Sequence, residues 1–275
     1  MTTIAAYAPG RRRAPLTYLR ETLLLTGRSL RGIPRVPERL LDVTIQPAMF
    51  IVLFLYVFGS AINVHGFSYK SYMFPGIIGQ SLAFGMIGTG TATCADLREG
   101  VIDRFKSMPV GRLAIISGQV LGQMCEQLLG MAIVVGFGLI LGWDPHLSIA
   151  RGLELAGLIL LGMTAFTWAG VLFGMLVRSP DAVQGVGFTA IFPLSFMAGT
   201  FVPIAGMALI PRSIAEWDPI SALVASVRRL TLPDYHTGGS WLLDHPELAM
   251  VLWCLILLGI CMPLALRRFR HTIAA

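Results

Sequence analysis

The chain has 275 residues, of which 55% are hydrophobic and only 13% charged, and its mean hydropathy is +0.72. These values are far from soluble globular averages; they exclude a water-soluble domain and define an all-α integral membrane protein. The net charge of +6 follows from membrane topology and attraction to an anionic surface, so nucleic acid is not implied as a partner.

Residues 1–42 are expected to form a cytoplasmic tail and an interfacial helix. Arg11, Arg12 and Arg13 are consecutive, and residues 16–30 mix leucines with Arg20 and Arg28, the pattern of an amphipathic helix in the inner interface. No continuous apolar core of a cleavable signal occurs in residues 1–40. Apolar runs long enough to cross a bilayer begin near Val43, Pro75, Leu113, Leu155, Ala182 and Leu248, which predicts a six-helix transmembrane domain over residues 43–266. Sixteen Lys and Arg fall in the segments on the side of the termini (1–42, 96–112, 177–182 and 267–275) and five on the other side. The positive-inside rule therefore places both termini, including the tail 267–275, in the cytoplasm. Nineteen Arg against two Lys suggest a bacterial source with a GC-rich genome, hence a bacterial plasma membrane.

Span two is rich in small and hydroxylated residues, including Gly76, Gly79, Gly85, Gly88, Gly90, Ser81, Thr89, Thr91 and Thr93. Such residues serve close helix packing, or alternatively a smooth, polar-spotted wall beside a pathway. Residues 96–112, DLREGVIDRFKSMPVGR, carry seven charges between two uncharged runs. Leu97, Val101, Phe105 and Met108 recur at helical spacing, and Pro109 and Gly111 end the pattern. This segment is too charged to cross lipid and too patterned for slack loop, which points to docking of a second protein at the membrane surface. Span three places Gln119, Gln123, Glu126, Gln127 and Gly130 on one face. Glu126 is a lone carboxylate deep in a span, readable either as an inter-helix hydrogen bond or as a contact for a cationic or polar substrate.

Residues 203–247 are too long for a turn between spans five and six. Ile220, Leu223, Val224, Val227 and Leu230 predict an amphipathic helix at the outer interface, partly dipping into the membrane, with Arg228 and Arg229 at its C-terminal end. Trp217, Tyr235 and Trp241 suit a headgroup belt.

Several chemistries lack their residues. The five histidines show no metal-ligand spacing, and the four cysteines lie in or at the end of apolar runs. The two lysines, Lys70 and Lys106, are preceded by Tyr69 and Phe105, so no Walker motif exists to bind ATP. An ion-coupled carrier or an intramembrane enzyme would have Glu126 alone as its ionisable group. A partner-driven transporter fits better.

The coupling segment Glu99-Gly100-x-x-Asp103-Arg104 through Pro109, the FPLSFMAGTFVP run and Asp218-Pro219-x-Ser with Arg228 carry a family resemblance. In that order they resemble the membrane subunit of a type 2 ABC exporter, most like the daunorubicin-resistance permeases; Asp218 stands where relatives often carry Asn. The resemblance implies a permease that exports lipophilic drugs, antibiotics or lipids, with export of a polymer or surface glycolipid as the alternative. It implies two copies of a cytoplasmic ATPase that hold ATP and magnesium, and a second permease protomer, identical or related. Leu97, Val101 and Phe105 would contact the ATPase groove, with Glu99, Asp103 and Arg104 as polar partners and Gly100 and Pro109 shaping the segment. Gln80, Ser81, Phe84, Thr89, Phe196, Met197 and Thr200 would line the central path. No residue of this chain is assigned covalent chemistry or a metal.

Overall fold

The computed structural model describes residues 37–59, 66–100, 112–145, 147–232 and 241–274, together with a few isolated positions (20, 22, 24, 26, 27, 62 and 235). All regular structure among them is helical. Helix α1 (Pro37–Val52) runs directly into a π-helical turn, Leu53–Val57. Long helices follow as α2 (Tyr69–Arg98), α3 (Arg112–Ile140), α4 (Ile149–Leu176) and α5 (Pro180–Met197). The connection to the last helix holds a 3₁₀ turn (Ile204–Gly206), α6 (Leu209–Trp217), α7 (Pro219–Thr231) and the short α8 (Trp241–Asp244). The last helix, α9 (Pro246–Ala274), continues through the residues expected to form a C-terminal tail.

The helix starts follow from local sequence. Ser68, Ser148 and Ser179 each accept a hydrogen bond from a backbone N–H three residues on, and Asp218 caps Ile220 N–H at 3.1 Å. Pro180 and Pro219 occupy first-turn positions, where a missing N–H costs nothing. At the other end of α2, Glu99 N–H bonds to Ala95 O and Gly100 follows at φ +66°, a left-handed stop that a side chain would strain.

Among the described residues, three helical stretches are long and apolar enough to cross a membrane: Ala114–Ile140, Ile149–Leu176 and Pro246–Phe269. Ile45–Val57 is a shorter apolar helix. Helix α2 is the hub, packed against α1, α3, α4, α5 and α7. It meets α4 most extensively, through glycines: an added methyl on Gly170 or Gly174 would run into the backbone oxygens of Met86 and Gly90. Backbones this close are the means by which helices associate in lipid, where the hydrophobic effect between them is weak.

The main core joins α1, α2, α3, α4, α5, α7 and α9 around Tyr72, Phe74, Ile78, Met163 and Leu223. A second core near the Arg98 end joins the start of α3 and the ends of α4 and α9 through Ile116, Trp168 and Phe269. Arg268 donates to Met175 O at 3.1 Å there. Arg98, Arg178, Arg267 and Arg268 thus share one end of the bundle, opposite the Tyr69 end of α2.

Helix α7 differs from its expected place. It does not lie at an interface with one wet face: of its thirteen residues, Ile220 to Arg228, Leu230 and Thr231 are all buried. Its polar side chains are satisfied internally, since Ser226 and Thr231 donate to carbonyls one turn back, at 2.7 and 2.8 Å. Trp217 and Trp241 are exposed, as headgroup-belt residues would be, whereas Tyr235 packs over Arg228.

Candidate functional site

A cleft of about 550 Å³ lies between α1, α2, α3 and α5. Its α2 wall runs from Gln80 to Ala95, its α1 wall from Ile45 to Phe50, and its α3 wall from Gln123 to Met131. Gln184 and Phe188 on α5 complete it. The α2 wall covers about 22 Å at 1.5 Å per residue, stretching from mid-helix nearly to the Arg98 end. The lining pairs amide and hydroxyl groups with phenyl rings, and Glu126 is the carboxylate among the lining residues.

Polar side chains on the cleft walls also tie the helices together. Gln127 Nε2 donates to the hydroxyls of Thr89 and Thr167, each at 3.2 Å, linking α3 to α2 and α4. Its Oε1 is buried and has no hydrogen-bond partner among the described residues, which leaves an acceptor beside the cleft. Nearer the Arg98 end, Gln119 Nε2 donates to Asp96 at 2.9 Å. At the opposite limit of the cleft Gln80 Nε2 reaches Ser195 Oγ at 3.4 Å, and Thr200 donates to Ser195 O at 2.6 Å.

Of the sequence-predicted pathway residues, Gln80, Ser81, Phe84, Thr89 and Glu126 converge on this cleft. Phe196, Met197 and Thr200 do not line it. Phe196 belongs to an aromatic cluster beyond the cleft, Met197 packs against the group around Ile204 and Ala215, and Thr200 is fully buried. Sequence reasoning did not single out the contribution of α1 (Ile45, Gln46, Met49 and Phe50) or Phe188. Phe188 was legible in principle, because Phe188, Phe192 and Phe196 recur every four residues on α5.

Of the predicted docking segment, Leu97, Glu99 and Gly100 are described, while Val101, Asp103, Arg104, Phe105 and Pro109 lie outside the described residues. Leu97 sits in the last turn of α2 and packs against the core near the Arg98 end, and Glu99 is exposed at the helix cap. Buried Thr26 approaches the same region, donating to Thr22 O at 2.9 Å and reaching Gly118 O of α3 at 3.5 Å.

A second polar feature lies at the Tyr69 end. Arg228 on α7 is 2% exposed, and its guanidinium lies 3.6 Å from the Tyr72 ring centroid and 5.3 Å from that of Tyr235. It donates to Tyr72 O and Gly199 O, both at 3.0 Å, and to the Tyr235 hydroxyl at 3.4 Å. Tyr72 also donates its own hydroxyl to Gly199 O at 2.8 Å. Carbonyls and ring faces, rather than a carboxylate among the described residues, balance this buried cation. The cage fastens α7 to α2 and to the end of α5. No cluster of His, Cys, Asp and Glu suited to a metal ion occurs among the described residues.

The described residues form a helical bundle whose cleft is mainly apolar, with a few amide, hydroxyl and carboxylate groups among its lining. The ABC-2 type transporter family model matches residues 20–232, and the chain belongs to that family. It is 28% identical over 266 residues to the daunorubicin resistance ABC transporter permease protein DrrB1 of Streptomyces coeruleorubidus, covering 95% of this chain and 90% of that one. It is 25% identical over 210 residues to the doxorubicin resistance ABC transporter permease protein DrrB of Mycobacterium tuberculosis, covering 72% and 69%. The inner membrane transport permease YadH of Escherichia coli is 23% identical over 193 residues, covering 67% and 73%. The chain is accordingly a multi-pass membrane permease subunit rather than an enzyme, and in this family a separate ABC subunit supplies the ATPase activity.

Proposed function

We propose that this chain is the membrane half of an ATP-driven exporter for small lipophilic compounds such as drugs, antibiotics or lipids. The observation that carries the reading is the cleft: it extends toward the basic Arg98 end, stops at mid-bundle, and mixes rings with amides. Its volume falls within the range of pockets that enclose drug-sized molecules, roughly 300–1,000 Å³. That size favours a compact compound over a polymer or surface glycolipid. The drug-resistance relatives support the same class.

In this reading α1 to α5 and α9 are six spans, both termini are cytoplasmic, and the Arg98 end faces the cytoplasm of a bacterial cell. Two such protomers, identical or related, face each other and engage two ATPase subunits, which hold ATP and magnesium. Residues 96–112 dock on the ATPase, with Leu97, Val101 and Phe105 toward its groove and Glu99, Asp103 and Arg104 as polar partners. ATP binding then favours the outward-open state because nucleotide and substrate bind the two states with different affinity.

Replacing Phe105 by Asp tests the docking. The variant should insert in the membrane and remain monodisperse, yet lose co-purification with the partner ATPase that wild type retains. A Phe105→Asp chain that retains the ATPase and its full stimulation would overturn the assignment of this segment.

A further inference from the structure

Three walls of the cleft carry the same short pattern. Gln46 and Phe50 on α1, Gln80 and Phe84 on α2, and Gln184 and Phe188 on α5 are each a glutamine followed four residues on by a phenylalanine. All six line the cleft. Residues four apart share a helix face and lie about 6 Å apart along the axis, so each wall presents an amide and a ring one turn from each other. The walls do not run the same way. Contacts of Phe54 and Tyr69 with Phe201 set the far ends of α1 and α5 beside the start of α2. Gln46 and Gln184 therefore lie on the Arg98 side of their rings, whereas Gln80 lies on the Tyr69 side of Phe84. Between these amides the rings form a band: Phe84 meets Phe188 edge to face at 5.7 Å, and Phe192 links Phe188 to Phe50. Helix α3 completes the wall with Gln123 in place of a ring.

Not all of these amides are engaged in holding helices together. Gln80 reaches Ser195, and Gln127 bonds Thr89 and Thr167. Gln46, Gln123 and Gln184 make no side-chain hydrogen bond to another described residue, and none of the three is fully buried. A free amide offers an acceptor oxygen and two donor hydrogens, so the group that complements it both donates and accepts. A fixed cation finds less. Glu126, the carboxylate of the lining, already interacts within the protein. The end toward which the cleft extends carries Arg98, Arg178, Arg267 and Arg268, whose summed field opposes an entering positive charge.

We propose that the cleft takes an uncharged compound built of apolar rings with a carboxamide or hydroxyl that both donates and accepts, and disfavours the same rings bearing a fixed positive charge. The rings lie against the phenylalanine band, and the polar group meets the amides of Gln123 and Gln184. This selectivity rests on the cleft being the compound site, as given under the proposed function.

The test uses the full chain in lipid nanodiscs, without any ATPase, and three benzophenone photoprobes. They are para-benzoylbenzamide, its N,N-dimethylamide, and the para-benzoylbenzyl trimethylammonium ion. The first donates and accepts, the second only accepts, and the third is a cation. Light attaches each probe to the C–H bonds it touches, and mass spectrometry maps the positions. Labelling of the cleft walls is divided by labelling of the exposed α9 face around Leu255, which corrects for the partition of each probe into lipid. By that ratio the carboxamide should exceed either other probe about three- to tenfold, the factor a net hydrogen bond carries. The double variant Gln123→Leu, Gln184→Leu should bring the carboxamide down to the level of the dimethylamide and leave the dimethylamide undiminished, which a loss of fold would not do. Equal ratios for the three probes, or a carboxamide preference that survives the double variant, overturn the proposal. Preference for the ammonium overturns it too, and makes Glu126 a counter-ion. Failure of all three probes to label the cleft walls overturns the proposal together with the reading of the cleft on which it rests.

Discussion

Replacing Arg228 by Met keeps much of the side-chain volume and removes the buried cation. The guanidinium gives up hydrogen bonds to Tyr72 O, Gly199 O and Tyr235 Oη, together with its stacking on the Tyr72 ring. Charge-assisted hydrogen bonds contribute about 1.5–3 kcal/mol each, and a desolvated cation–π contact about 2 kcal/mol. Against that gross gain stands the cost of burying the charge, several kcal/mol for one ion. The carbonyl of Gly199 keeps the Tyr72 hydroxyl after the substitution, so it is not orphaned. A net loss of about 2–3 kcal/mol follows, and at about 2–4 °C per kcal/mol the unfolding midpoint should fall by about 5–10 °C. The chain carries its own reporters, since Cys94, Cys254 and Cys261 are buried free thiols. Heating purified protein with a fluorogenic maleimide reads their exposure. Arg228→Lys should lose part of the same stability, because an ammonium keeps at most the two carbonyls that Nη2 meets and gives up the Tyr235 hydroxyl and the stacking on the Tyr72 ring. A midpoint for Arg228→Met equal to or above wild type would refute the reasoning and make the cage a net cost.

Three further outcomes are expected. Gly174→Ala should lower the same midpoint by the equivalent of about 1–3 kcal/mol, because its methyl meets the Gly90 backbone, whereas Gly157→Ala, with open space around it, should be neutral or slightly stabilising. Burial pushes the Asp218 carboxyl up to about 7, against the opposing hydrogen bonds from Ile220 and Ser221. The folded state therefore holds the proton more tightly than the unfolded chain, and this stabilisation, complete below about pH 4, is lost as pH rises through about 7. Asp218→Asn keeps a capping side chain and should flatten that decline when midpoints are measured between pH 5 and 8; an unchanged slope would exclude Asp218 as its source. Gln127→Leu exchanges two hydroxyl contacts for relief of an unpartnered carbonyl, so its stability should stay within about 1 kcal/mol of wild type. Its effect should appear in the concentration of lipophilic compound needed to stimulate ATP hydrolysis, and an unaltered concentration would place Gln127 outside the substrate site.

The membrane class, the all-helical architecture and the positions of the long helices were legible because apolar content and run length are one-dimensional signals. The polar face of α3 was legible too, since three- and four-residue spacing puts Gln123, Glu126 and Gln127 together whatever packs against them. The setting of α7 was not. Its sequence carries the pattern of an interface helix, and what buries it is a cage supplied by Tyr72, 156 residues before Arg228, and by Gly199. A hydropathy pattern cannot reveal that an arginine has found two ring faces and two carbonyls. The candidate path was half legible for the same reason. Span two declared its small polar residues, but only tertiary packing decides that Phe188 faces the cleft while Phe196 turns into the aromatic cluster, or that the first span supplies a wall.

The account stands most directly on the response of ATP hydrolysis to small lipophilic compounds. The chain should be co-expressed with candidate ABC ATPase subunits from the same genome, purified as a complex, and placed in lipid nanodiscs with a graded series of such compounds. The account predicts a stable complex whose hydrolysis is stimulated by a compound small enough for the cleft, with that stimulation lost in Phe105→Asp. A stable complex that ignores small compounds and responds to a polymer or glycolipid, or a chain that binds no ATPase at all, would contradict it.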